Sequence, residues 1–181
     1  YAYGGPELAM STLNKNMDLN ITEFVTVNFE TVKTVVDSLG GIELEITDAE
    51  AQQIGFSSGG TYTLDGEEAL AYSRIREIDS DYQRTERIRT VLDAVFEKVK
   101  TMEVSEILDF VDVVLPLIST NISSNKIIGM LPSAPFYNIS DSIGWPYNVE
   151  GFSSDAWYAV PVTLEDNVSE LHKELFDEED Y

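Results

Sequence analysis

Residues 64–92 read LDGEEALAYSRIREIDSDYQRTERIRTVL, and this stretch decides how the chain is organised. Asp65 with Glu68 three positions on has the form of a capping box, which satisfies orphan N–H groups at a helix start. It opens a short helix through Ala69, Leu70 and Ala71. Residues 72–77 then read as extended. In that conformation side chains alternate, so Tyr72, Arg74 and Arg76 share one face. A long helix follows from about Tyr82 to Lys100, with the apolar stripe Ile88, Val91, Leu92, Val95, Phe96 and Val99. Arg84 continues that stripe four residues before Ile88 and is expected to face inward. Arg87 lies at the stripe's edge, and Arg89 on the opposite, wet face.

Working upstream, Thr61–Leu64 is a short strand after the Gly59-Gly60 turn. Ile42, Leu44 and Ile46 alternate with Glu43 and Glu45, the pattern of a strand with one wet face. Val32, Val35, Val36 and Leu39 sit at helical spacing, and Gly40-Gly41 stops that helix. Residues 21–29 read as a strand, and Gly4-Gly5-Pro6 opens a helix with Leu8, Leu13 and Met17 on its apolar face. Downstream, helices are expected at about Val104–Ile118 and Asn125–Leu131. Residues 133–155 are expected to be mostly loop, Trp157–Val162 a strand and Leu164–Phe176 a last helix. Strands alternating with helices predict a three-layer α/β/α domain spanning residues 1–181, without repeat or linker.

All five arginines lie between positions 74 and 89, in a chain of formal charge −22. The guanidinium is a permanently charged planar fork that matches phosphate oxygens. Its segregation here reads as a site for a multiply charged anion. The same arginines could instead pair with Glu77, Asp79, Asp81 and Glu86 as a salt-bridge lattice, and the spacing leaves both readings open. Asp79 and Asp81, two residues apart in the turn, are suited to ligating a hard divalent cation or accepting a proton. The strong negative charge argues against nucleic acid as a partner. The absence of cysteine excludes disulfides and thiolate chemistry. His172, the one histidine, reads as a surface helix residue, and Trp145 and Trp157 as core or loop packing rather than sugar platforms.

The stretch 64–92 resembles the signature of the LytR-CpsA-Psr family: Leu-Asp-Gly-Glu-x-Ala-Leu-x-Tyr-x-Arg-x-Arg, an Asp-x-x-Arg step, then Arg-x-x-Arg. Tyr1–Glu7 and the segment Val35–Leu44 are similar to further family segments, so that the resemblance covers roughly residues 1–120. It implies a mixed central sheet flanked by helices and an apolar pocket for a polyprenyl chain. The first strands, the main metal ligand and an N-terminal membrane anchor would lie upstream of Tyr1. The implied activity is transfer of a glycopolymer with its phosphate (teichoic acid, capsular polysaccharide or another) from a polyprenyl-pyrophosphate carrier to peptidoglycan, outside the cytoplasm and assisted by magnesium. Arg74, Arg76 and Arg84 would hold the pyrophosphate, with Arg87 as a further candidate. Asp81 would orient metal or accept the hydroxyl proton, and Arg84 would help neutralise charge as the bond breaks. Asp79 would be an accessory metal ligand. The position after Arg87, commonly Gln in the family, is Ile88 here. The competing reading is a non-catalytic module that binds lipid-linked phosphates or wall polymers.

Overall fold

The computed structural model describes residues 2–76, 78, 81–137, 144–154 and 157–176, and of Asp81, Tyr82, Ala134, Pro135 and Trp157 the backbone alone. In chain order the elements are α1 (Gly5–Met17), β1 (Val25–Thr26), α2 (Phe29–Ser38), β2 (Ile42–Ile46), α3 (Asp48–Gln53), β3 (Gly60–Leu64), α4 (Gly66–Ser73) and α5 (Asp81–Lys100). They continue with α6 (Val104–Val114), β4 (Ser119–Thr120), α7 (Ser124–Met130), β5 (Val149–Ser153), β6 (Trp157–Pro161) and α8 (Leu164–Phe176). The class is α/β, as expected. The described strands pair as three two-stranded antiparallel sheets, β1 with β4, β2 with β3 and β5 with β6, rather than as one mixed sheet. Among the described residues no helix is long and apolar enough to cross a membrane.

The chain forms two compact units, Glu23–Ile139 and Tyr1–Thr22 with Ser140–Tyr181. In the first, β2 and β3 form a hairpin in which Ile42 pairs with Leu64 and Ile46 with Gly60. Ile42, Leu44 and Ile46 point inward while Glu43 and Glu45 face water. Val36, Ala51, Leu64, Ala69, Tyr72, Ile75 and Val91 complete the core around them. Helix α2 packs on α4, α4 on α5, and α5 on β2.

Residues 21–29 make only a two-residue strand. Asn28 accepts a hydrogen bond from the Thr31 N–H (2.8 Å) through its side chain and so caps α2, turning Phe29 from a strand residue into the first helical one. The Thr31 hydroxyl in turn donates to the Leu117 carbonyl (2.8 Å), tying α2 to the short 3₁₀ turn Leu115–Leu117 that ends α6 earlier than its periodicity predicts. Helix α3 was not expected. It is opened by Thr47 and Glu50, a second capping box of the same form as that at Asp65.

In the second unit, β5 lies in a stretch expected to be loop. His172 is not a surface residue. It is 3% exposed, with Nε2 2.8 Å from the Met17 carbonyl and its ring edge-on to Phe176. The reason is helical spacing: His172 lies four residues after buried Val168, on the inward stripe of α8. Trp145 packs in place as expected, its indole N–H donating to the Asn167 carbonyl (3.1 Å).

Candidate functional site

An apolar groove of about 290 Å³ runs between three helices of the Glu23–Ile139 unit. Val27, Phe29 and Val32 line it from α2 and the approach to it, Leu70 and Ser73 from α4, and Ile88, Val91 and Leu92 from α5. Phe29 is 58% exposed and Leu92 50%. Large apolar side chains held open along a groove, rather than closed on one another, mark a surface that receives something apolar. Ile88 belongs to this wall, and it extends the apolar stripe of α5 by a turn.

Arginine meets the groove at one point. Helix α4 ends on Arg74, whose guanidinium carbon lies 5.0 Å from the centroid of the Phe29 ring, within cation–π range. Two turns of helix from a well-capped start carry α4 through Ser73, which corrects the expectation that Tyr72 is extended. Tyr72 is helical and 4% exposed, and does not share a face with the arginines. Alternation begins only after it. Arg74 is exposed, Ile75 is buried in the core and Arg76 is exposed again. Among the described residues neither Arg74 nor Arg76 has a carboxylate partner.

The remaining arginines fare differently. Arg87 is 4% exposed. Its Nη1 lies 3.3 Å from Glu50 Oε1, and its Nη2 donates to the Ile75 carbonyl at 2.9 Å. Arg89 pairs with Glu86 along α5. Of the carboxylates expected in a salt-bridge lattice only Glu86 is seen paired, with Arg89, while Arg87 finds Glu50 instead. Arg84 is half-buried on the first turn of α5, four residues before the groove residue Ile88. Asp81 heads α5, with its side chain outside the described residues, as is Asp79 altogether. Among the described residues no three His, Asp or Glu side chains converge.

Glu50, which the sequence reading passed over, joins this region to α3. Its Oε2 accepts from the Thr47 N–H and hydroxyl (2.9 Å each), and its Oε1 faces Arg87. Tyr72 is buried beside the same cluster. Burial first, and then the Glu50 carboxylate, push the Tyr72 hydroxyl up to about 12, against the opposing pull of Arg87. The folded state therefore holds this proton more tightly than the unfolded chain, whose tyrosines titrate near 10. The stabilisation is fully present below that pH and is lost as pH rises through the folded value. Titration of phenolate absorbance is expected to show a late component near pH 12 that Tyr72→Phe removes; its persistence in that variant would assign it elsewhere.

The model of the LytR_cpsA_psr family matches residues 1–153. The chain belongs to this family. It is 34% identical over 163 residues to the polyisoprenyl-teichoic acid–peptidoglycan teichoic acid transferase TagT of Bacillus subtilis (strain 168), covering 83% of this chain and 51% of TagT. To TagU of the same organism, a transferase of the same description, it is 37% identical over 128 residues, covering 69% and 40%. Among solved structures, TagT bound to LIIa-WTA superposes with a TM-score of 0.77 at 29% identity, over 97% of this chain and 68% of that one. B. subtilis TagT gives 0.74 at 29% identity, over 96% and 69%. This LytR_cpsA_psr chain thus has the fold of those proteins and spans about half the length of the curated relatives it matches.

Proposed function

We propose that this chain is the part of a phosphotransferase that grips a polyprenyl-pyrophosphate-linked glycan for transfer to peptidoglycan. One observation carries the reading: an open apolar groove with Arg74 at its rim, the combination that an isoprenoid tail joined to an anionic head requires. The transferase descriptions of TagT and TagU support it. Such a protein works on the extracytoplasmic face of a membrane and is anchored there.

The isoprenoid tail occupies the groove, and the pyrophosphate lies against Arg74, Arg76 and Arg84. A peptidoglycan hydroxyl attacks the phosphorus that bears the glycan. The bond to the bridging oxygen breaks, the polyprenyl phosphate leaves with that electron pair, and the new phosphodiester joins glycan to peptidoglycan. The hydroxyl proton passes to a base, for which Asp81 is the candidate. The arginines stabilise the negative charge that gathers on the leaving phosphate. Bound magnesium would supply further charge neutralisation.

The test is calorimetry of this chain with a long-chain polyprenyl pyrophosphate in detergent, with and without magnesium. Arg74→Ala/Arg76→Ala is expected to weaken binding about 100-fold, each charge-assisted contact contributing about tenfold. Equal binding by both proteins would overturn the site. With peptidoglycan and a glycan-bearing donor, Asp81→Ala is expected to abolish turnover while binding persists. A non-catalytic module would show no turnover in either form.

A further inference from the structure

The arginines proposed to hold the anion are themselves held. Ile75, between Arg74 and Arg76, is fixed twice: its side chain is 6% exposed in the core, and its carbonyl accepts from Arg87 at 2.9 Å. Arg87 owes its own orientation to Glu50 Oε1 at 3.3 Å. Glu50 is held by the Thr47 N–H and hydroxyl at the start of α3. A continuous polar chain therefore runs from the cap of α3 through Glu50 and Arg87 to the carbonyl of Ile75, the residue between Arg74 and Arg76.

We propose that Glu50, acting through Arg87, is a positioning residue for the pyrophosphate-binding arginines. The inference rests on the reading of Arg74 and Arg76 given above. It also gives Arg87 a role other than contact with the anion, because its guanidinium is turned to protein groups at both of its outer nitrogens. The chemistry favours this division of work. Anion binding gains most when donors are fixed before the ligand arrives. An arginine pinned by a buried carboxylate is a stiff brace, whereas a solvated one is not.

The experiment compares two ligands, a long-chain polyprenyl pyrophosphate and the corresponding polyprenol, which has the tail without the charge. Glu50→Gln is expected to lower affinity for the pyrophosphate about tenfold while leaving polyprenol binding unchanged, as misplacement of donors rather than loss of the groove requires. Because a buried Arg87 that lacks the Glu50 carboxylate can compromise folding, the paired variant Glu50→Gln/Arg87→Met is measured beside it and should show the same selective loss. An equal fall for both ligands would make the cluster a support of the groove alone and overturn the proposal. So would unchanged binding of both by the paired variant. The two readings separate on Arg74→Ala/Arg76→Ala. If that variant keeps the wild-type preference for pyrophosphate over polyprenol, the arginine site itself falls. If it loses the preference and the Glu50 variants do not, only the positioning role falls.

Discussion

Gly66→Ala is expected to lower the melting temperature by about 10 °C, the consequence of a loss of about 3 kcal/mol in a chain of this size. A Cβ at position 66 would stand 2.3 Å from the Lys33 carbonyl oxygen and 2.8 Å from both Lys33 C and Cα. All three are backbone atoms of α2, so no side chain can swing aside to make room. The approach is also fastened: the Gly66 N–H donates to Asp37 Oδ1 on α2 at 2.7 Å. The substitution must push α4 away from α2 or break that bond. Both helices line the groove, so polyprenol binding should weaken in the same variant. Gly129→Ala is the control. A Cβ there meets nothing within 4 Å, and the change on α7 should stay within about 0.5 kcal/mol. Thermal unfolding followed by circular dichroism decides the matter: equal melting temperatures for the two variants would contradict the close approach of α2 and α4.

Arg87→Ala is expected to cost about 3–5 kcal/mol, the usual penalty for removing one member of a buried ion pair. The Glu50 side chain is 12% exposed and would keep its charge without the guanidinium opposite, and the Ile75 carbonyl would lose its donor. Replacing both partners by neutral groups of similar size removes the uncompensated charge, so Glu50→Gln/Arg87→Met should unfold close to the wild type. Denaturant midpoints of the three proteins test this. If Arg87→Ala and the double variant were equally stable, Glu50 would not be bearing a buried charge against Arg87. Arg89→Ala, which releases only the more exposed Glu86, should change the midpoint little.

Much of this was readable in the sequence because it depends on local chemistry. Asp65 and Glu68 announce the start of α4 wherever the helix packs, since a capping box closes on its own backbone. The alternation of Ile42, Leu44 and Ile46 with glutamates likewise gives β2 and its buried face. Thr47 and Glu50 offered the same capping signal for α3, and only its shortness hid the helix. Asn28 is a strong N-cap type, and reading it so would have moved Phe29 from strand to helix. By contrast, the stretch before β5 is rich in turn residues, which mask the pairing of β5 with β6.

The sequence by itself therefore determined most of the helices, the β2 strand, the α/β class and the gathering of all five arginines in and beside a long amphipathic helix, because capping, periodicity and composition act within a few residues. Only the tertiary structure decided what each arginine does. Arg74 meets Phe29 across a gap of 45 residues, Arg87 finds Glu50 across 37, and Ile75 receives Arg87 across 12. Such partners are set by which helix faces close on one another. Burial then decides the consequence: out of water Arg87 must be compensated by protein groups, while Arg74 and Arg76 are exposed to solvent.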